Sequence, residues 1–66
     1  MGDGTVTLVV YGRTFDIKDE LKEMGYQWHA KDGQWVKTGC TSWDETLIKG
    51  CIDNNWSGVE VEVRHE

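Results

Sequence analysis

Apolar residues recur with two different periods along this chain. Residues 5–11 are rich in β-branched side chains and place apolar residues on both faces, Val9 opposite the others, which predicts a central strand. Residues 59–64 alternate strictly between valine and a polar residue, which predicts a strand with one face on the core and one in water. Between these strands, apolar residues spaced by three and four positions predict two helices.

The first helix is predicted to begin at Asp16, a suitable N-cap. Asp19 and Glu20 then lie in the first turn, where the helix dipole favours acidic side chains. Gly25 is expected just after the helix end, because glycine readily adopts the left-handed conformation found there. The apolar positions at helical spacing are Ile17, Leu21 and Met24.

The second helix is predicted to begin with a capping box, with Ser42 as the N-cap and Glu45 three residues later. It is expected to end near Asn54 and Asn55, since asparagine tolerates left-handed conformations, and Trp56 is expected to fold back over the helix end. Its apolar stripe comprises Trp43, Leu47, Ile48, Cys51 and Ile52.

Residues 26–37 are predicted to form a hairpin around their Asp-Gly dipeptide, which suits a two-residue type I′ turn. That turn would place Ala30 opposite Trp35 and Trp28 opposite Lys37. One face would carry Tyr26, Trp28, Ala30 and Trp35. The other face would carry Gln27, His29, Lys31, Gln34, Val36 and Thr38. A slip of one residue would exchange the two faces, so the assignment requires an even loop.

The predicted order is strand, helix, strand, strand, helix, strand. This is the order of the compact α+β, ferredoxin-like fold, with two helices on one face of a four-stranded antiparallel sheet. We expect one domain over residues 1–66, with the first and third strands central and the last at an edge. Acidic residues on that edge would oppose unwanted strand pairing. They are Glu60, Glu62 and Glu66.

The net charge favours some classes of binding partner over others. The 66-residue chain carries 12 acidic and 7 basic side chains, a net charge of −5. A nucleic-acid binder held by phosphate contacts alone needs clustered Lys and Arg. The acidic net charge therefore fits a protein partner with a basic surface better, although acidity also serves solubility.

The longest apolar run, residues 8–10, is too short for a membrane span or signal peptide, so a soluble protein of the host cytoplasm is expected. Cys40 and Cys51 are then expected to be reduced thiols.

A pattern across residues 14–38 resembles a small domain common in phage and plasmid proteins. It consists of Phe15-Asp-Ile17, Leu21-Lys22, Gly25-Tyr-Gln-Trp28 and Gln34-Trp35-Val36. It is also similar to the small accessory domain of annealing helicases and to the damage-recognition domain of some repair helicases. The resemblance implies the same fold, a contribution to DNA binding, and a phage or mobile-element accessory protein. The helicase relatives have a basic turn, whereas the turn here has only Lys31 and Lys37.

Two candidate binding surfaces follow from these patterns. An acidic surface could imitate the phosphates of DNA and occupy a basic groove on a partner; alternatively it complements helix dipoles and aids solubility. It comprises Asp16, Asp19, Glu20, Glu23, Asp44, Glu45 and Trp56, the last expected to be half-exposed. The open sheet face could instead hold a short single strand, or it is an ordinary solvated face. It comprises Gln27, His29, Lys31, Gln34 and Lys37.

The large aromatic side chains are expected mainly in the core, because so short a chain has few others to fill it. They are Tyr26, Trp28, Trp35 and Trp43, with Trp56 either in the core as well or half-exposed at a partner contact. Alternatively, Tyr26, Trp28 and Trp35 could stack on nucleic-acid bases. No spacing indicates a nucleophile with its base or a phosphate loop, so no catalytic residue and no cofactor is expected. His29, His65, Cys40 and Cys51 lack zinc-site spacing, so no metal is expected.

Three functions remain open at this point. The leading hypothesis is a small acidic phage or mobile-element protein that binds and inhibits or regulates a host protein, such as a nucleic-acid enzyme or a defence nuclease. The alternative is a single-stranded nucleic-acid-binding domain that uses the open sheet face. A third is a structural subunit that is monomeric or pairs through the last strand as a homodimer.

Overall fold

The computed structural model describes residues 5–65 and has the predicted order of elements. The strands are β1 (Val6–Gly12), β2 (Gln27–His29), β3 (Gln34–Cys40) and β4 (Val59–His65). The helices are α1 (Lys18–Glu23), preceded by a 3₁₀ turn (Phe15–Ile17), and α2 (Ser42–Asn54). Glu66, predicted to protect the last strand, lies outside the described residues.

The four strands form one antiparallel sheet in the order β2-β3-β1-β4. This order is compatible with the ferredoxin-like α+β fold and confirms that β1 and β3 are central and β4 is an edge. Val9 lies between Val36 and Glu62 on the face away from the core cluster and is nevertheless almost fully buried, as expected for a central strand.

The core lies between the helices and one face of the sheet. It brings the inward side chains of β1 together with those of both helices and with three aromatic rings. Its members are Val6, Leu8, Val10, Ile17, Leu21, Tyr26, Trp35, Cys40, Ile48, Trp56 and Val59. Since side chains alternate along a strand, the helices cover one face and leave the other open.

The hairpin is formed, but the predicted type I′ turn is wrong. Trp28 pairs with Trp35 rather than with Lys37, so residues 30–33 make a four-residue loop. Gly33 is the only loop residue with positive φ, at 66°, whereas a type I′ turn needs two such residues. The register differs by two residues, so Trp28 and Trp35 still share a face, as predicted.

Helix α1 ends as predicted but begins differently. Its N-cap is Ile17, and Asp16 lies within the 3₁₀ turn without capping the helix through its side chain. At the other end Gly25 has φ 95°, and the N–H of Tyr26 donates to the carbonyl of Leu21 at 3.0 Å. That bond closes the helix and directs the chain straight into β2.

The capping box of α2 lies one residue earlier than predicted. Thr41 is the N-cap rather than Ser42, and Asp44 rather than Glu45 completes the box. The N–H of Thr41 donates to Asp44 Oδ2 at 3.0 Å, and Thr41 Oγ1 accepts from the N–H of Asp44 at 3.5 Å. Thr41 with Asp44 and Ser42 with Glu45 both have the spacing of a capping box. The sequence alone could not distinguish the two pairs, and the predicted pair was the wrong one. The helix ends at Asn54, as predicted.

Two tryptophans of similar expectation have different places. Trp56 folds over the end of α2, as predicted, and at 8% exposed it belongs to the core instead of being half-exposed at a partner contact, the alternative for it. Trp43, expected in the core, is 71% exposed. Ile48 is the fully buried residue of α2, and a residue five positions earlier is rotated away from it by roughly 140°. Trp43 therefore points away from the sheet.

Candidate functional site

The site begins where the chain leaves β1. Gly12 has φ 99°, and a Cβ on it would lie 2.5 Å from the carbonyl oxygen of Gly58, so only glycine fits there. The N–H of Arg13 donates to that same oxygen at 3.0 Å, and the N–H of Thr14 donates to the Gly12 carbonyl at 2.9 Å. This tight turn fixes Thr14 and Phe15 beside the end of the sheet.

Thr14 joins this turn to the hairpin. Trp35 Nε1–H donates to Thr14 Oγ1 at 3.2 Å, and both side chains are buried. The bond satisfies the polar atom of a core tryptophan and determines the orientation of its ring. Trp35 thus forms the floor of a surface groove while belonging to the core.

Trp28 forms one wall of the groove. Its ring centroid lies 5.1 Å from that of Trp35, with the two planes inclined by 50°. Trp28 is 49% exposed, so the expectation that it belongs to the core is wrong. The reason is topological: β2 is a three-residue edge strand, and no strand within the described part of the chain lies on its outer side.

The opposite wall comes from the 3₁₀ turn and α1. Phe15 is 77% exposed, and Lys18 Nζ lies 4.6 Å from the centre of its ring, a cation–π distance. Lys22, one turn further along α1, lines the same groove. Neither lysine takes part in an ion pair within residues 5–65, so both ammonium groups can meet an anion.

These side chains form an open groove of about 490 Å³, which we call the aromatic–lysine groove. Its lining residues are Gly12, Thr14, Phe15, Lys18, Lys22, Trp28 and Trp35. The volume lies within the range typical of small-ligand sites, about 300–1,000 Å³. The aromatic rings can stack on a flat ligand, and the ammonium groups can neutralise a negative charge attached to that ligand.

The predicted acidic surface is divided by the structure. Trp56 is buried, Asp44 caps α2 and lies 3.9 Å from Lys37 Nζ, and Glu45 pairs with Lys49 at 2.8 Å. The hydrogen bond from the Thr41 N–H, followed by the charge of Lys37, lowers the pKa of Asp44. These three residues therefore have local structural roles.

The rest of the acidic set remains together. We call it the acidic flank: Asp16, Asp19, Glu20 and Glu23, all exposed. Residues four apart share one side of a helix, so Lys18 and Lys22 lie on one side of α1 and Asp19 and Glu23 on another. None of the ion pairs in residues 5–65 includes the acidic flank. The helix thus separates its two signs of charge.

The predicted nucleic-acid face is also divided. Gln27, His29 and Gln34 share the open face by their register, and Lys31 lies in the hairpin loop. Lys37 is opposite Leu8 and therefore points to the helix side. The open face also receives the outward residues of β4, Glu60, Glu62 and Arg64. With Lys37 absent and two carboxylates present, this face is less suited to phosphates than predicted.

Lys37 instead contacts a buried tyrosine. Its Nζ lies 5.7 Å from the centre of the Tyr26 ring and 3.9 Å from Asp44 Oδ1. Burial raises the pKa of Tyr26, and the nearby Cys40, Asp44 and Cys51 act in the same direction. This cluster joins β3 to the start of α2.

Sequence reasoning missed Phe15, Lys18 and Lys22 as site residues. Helical spacing could have found the lysines, since Lys18 and Lys22 are separated by one turn on a side without carboxylates. The exposure of Phe15 had no such signal, because it depends on the 3₁₀ turn that replaces the predicted N-cap.

Residues 5–65 contain no group of three or more His, Cys, Asp or Glu side chains placed to hold a metal ion. Nor does any helix in this part of the chain have the length and apolar character needed to cross a bilayer. Comparison with known protein families, with characterised proteins and with solved structures gives no match. The resemblance to phage domains and helicase accessory domains therefore stays a prediction.

Proposed function

We propose that this protein is a non-enzymatic binding module that holds a short single-stranded nucleic acid in the aromatic–lysine groove. The observation that carries the proposal is the presence of two exposed aromatic rings, Phe15 and Trp28, in one groove with two lysines that form no ion pair within residues 5–65. Phage or mobile-element origin remains part of the proposal on the sequence resemblance alone, and a cytoplasmic location on the short apolar runs of the sequence.

The groove has the two parts that sequence-tolerant single-strand binders combine. Aromatic rings stack on bases, with a contribution of about 1–3 kcal/mol per base, and lysines follow the phosphates. Phe15 and Trp28 stand on opposite walls, so each can stack one base of a splayed strand. Lys18 and Lys22 lie one helical turn apart, roughly 6 Å, close to the spacing of adjacent phosphates on a strand.

The overall charge of −5 and the small number of lysines in the groove both limit the affinity for nucleic acid. Two phosphate contacts give a slope of about −1.4 in a plot of log affinity against log salt concentration, far below that of a strongly basic binder. The acidic flank, on α1 and the 3₁₀ turn before it, further opposes the binding of long strands. We therefore expect weak binding, with a dissociation constant on the order of tens of micromolar at low salt.

The test is a titration of the protein with an oligothymidylate of about six nucleotides at low salt. Tryptophan fluorescence and amide NMR shifts would be followed together. We expect quenching of fluorescence and shifts at Phe15, Lys18, Lys22 and Trp28. Lys18→Glu should weaken binding about tenfold.

Lys31→Glu is the matched control, because it makes the same charge change in the hairpin loop outside the groove. It should bind within about twofold of the parent at equal salt. If Lys31→Glu weakens binding as much as Lys18→Glu, the effect is general electrostatics and the groove is not the site. An unchanged spectrum at millimolar oligonucleotide would rule out the proposed function.

A second candidate function is supported by the acidic flank. Its four exposed carboxylates, free of ion pairs within residues 5–65, can meet a basic surface on a host protein, as the leading sequence hypothesis requires. Such an interface would inhibit or regulate a nucleic-acid enzyme or a defence nuclease by occupying its basic groove. Asp44, Glu45 and Trp56 do not contribute to it, given their local roles and the burial of Trp56.

The second function is tested by capture from a bacterial lysate at low salt, using the parent and a variant with Asp16→Asn, Asp19→Asn, Glu20→Gln and Glu23→Gln. A specific partner should be retained by the parent and lost by the variant. Lys18→Glu should retain it, because that change leaves the acidic flank intact. A partner captured equally by the amide variant would contradict an acidic interface.

A further inference from the structure

Helix α2 presents an apolar surface away from the sheet. Trp43 is 71% exposed and Leu47, one turn later, is 47% exposed. The side of the helix that packs on the sheet is formed by Ile48, with Cys51 and Ile52 beside it. Two large apolar side chains on the outward side of a single helix have no role in this chain's own core.

Gly50 lies on the same outward surface. Glycine within a helix costs about 1 kcal/mol relative to alanine, and it is usually kept where something approaches closely. Among residues 5–65, a Cβ at Gly50 would have nothing within 4 Å, and the backbone conformation of Gly50 does not require glycine. The space above it therefore lies open outside the fold.

These residues form a shallow hollow of about 320 Å³ beside the Trp43 ring. Its lining residues are Trp43, Thr46, Leu47, Gly50, Cys51, Asn54 and Asn55. None of them is acidic or basic. In a chain of net charge −5, this is a surface where a second copy can approach without placing like charges in contact.

We propose that α2 pairs antiparallel with α2 of a second copy, each Trp43 entering the hollow over the partner's Gly50. Trp43 and Gly50 are seven residues apart, two turns or about 10 Å along the same side of the helix. A two-fold axis between Thr46 and Leu47 therefore places both tryptophans over both glycines at once. This self-complementarity is what a symmetric dimer interface requires.

The size of the surface limits the strength of the dimer. One face of a 13-residue helix buries less than the roughly 800 Å² per partner of a standard interface. We therefore expect a dissociation constant on the order of 100 µM, with monomers at low concentration. Dimerisation neither requires the aromatic–lysine groove nor depends on it.

The test is sedimentation equilibrium of the whole chain, with a monomer mass of 7.6 kDa, between about 10 µM and about 1 mM. We expect the average mass to rise towards that of a dimer. Gly50→Leu, whose Cβ meets nothing within 4 Å in residues 5–65, should fill the hollow and stay monomeric and folded, as should Trp43→Ser. Phe15→Ala, an exposed aromatic elsewhere, should dimerise like the parent.

Contacts between isotope-labelled and unlabelled copies give a second measurement, with NMR cross-peaks expected between the Trp43 indole and the Gly50 α-protons. A parent that stays monomeric at 1 mM, on the order expected to saturate the dimer, would overturn the proposal. So would a dimer that persists in both α2 variants, which would instead point to pairing through the β4 edge.

Discussion

Trp28 lies directly opposite Trp35 on the hairpin, with ring centroids 5.1 Å apart and planes inclined by 50°. One ring is half-exposed and the other is buried against Thr14, to which it donates a hydrogen bond. The pair thus connects the core to the surface of the groove. Its two members should respond very differently to truncation.

We expect Trp28→Ala to weaken oligonucleotide binding more than tenfold and to cost only about 1–2 kcal/mol of unfolding free energy, since it removes a stacking surface and one tilted aromatic contact. Trp35→Ala should cost about 3–5 kcal/mol, because it leaves a cavity in the core. Urea unfolding and the oligonucleotide titration measure the two effects. A Trp28→Ala variant that binds like the parent would remove Trp28 from the site.

The hairpin shows how far the sequence could predict this fold. Alternation along residues 26–37 predicted which side chains share a face, and an even loop preserves that partition whether it has two or four residues. The Asp-Gly dipeptide favoured the shorter loop. The longer loop is the one that puts Trp28 opposite Trp35, a cross-strand aromatic pair that the turn dipeptide does not encode. Exposure of Trp28 then follows from its edge position, which local pattern does not encode.

The helix starts show a second limit. Polar residues that can cap a helix stand at successive positions before α2, and Thr41 with Asp44 competes with Ser42 and Glu45. Trp43 was misplaced for a separate reason: it fits the spacing of the apolar stripe but lies roughly 140° around the helix from Ile48, the buried residue of α2. The sheet order was predictable because it follows from the number and order of elements.

Because Trp35 donates a hydrogen bond to Thr14, the stability of the fold should depend on the hydroxyl group at residue 14. Thr14→Val keeps the side-chain shape but leaves the buried indole N–H without its acceptor, which should cost about 1–3 kcal/mol. Thr14→Ser, which keeps the hydroxyl, should cost clearly less. Thermal unfolding followed by circular dichroism compares them. Equal losses for both substitutions would show that the methyl group, and not the hydrogen bond, matters.

Gly12, where the chain leaves β1, should tolerate substitution less well than Gly33. Gly12→Ala combines φ 99° with a contact of 2.5 Å to the Gly58 carbonyl, and we expect a loss of at least about 2–3 kcal/mol. Gly33→Ala has positive φ but nothing within 4 Å, and it should cost about 1–2 kcal/mol. Chemical denaturation ranks the pair. The reverse order would mean that the backbone at Gly12 shifts freely.

The capping box of α2 should make the stability of the protein depend on pH in the acidic range. The pKa of Asp44 is lowered in the folded protein, chiefly by the Thr41 N–H, so its contribution is present above the unfolded pKa of about 4 and is lost as pH falls through the folded value. Asp44→Ala should therefore lower the melting temperature at neutral pH, and the difference from the parent should shrink in acid. A difference that is constant down to about pH 2 would show that the carboxylate charge is irrelevant.

Tyr26 should make stability depend on alkali. Burial raises its pKa in the folded protein, so the neutral phenol is favoured there, and its contribution is complete below the unfolded pKa of about 10 and is lost as pH rises above it. Tyr26→Phe cannot ionise and keeps the ring beneath Lys37, so it should lose stability less steeply than the parent above about pH 10. Both proteins keep the same cysteines and lysines, so the difference between their denaturation midpoints across the alkaline range isolates Tyr26. Parallel curves for the two proteins would mean that the phenol is solvated when ionised and that its burial does not oppose the charge.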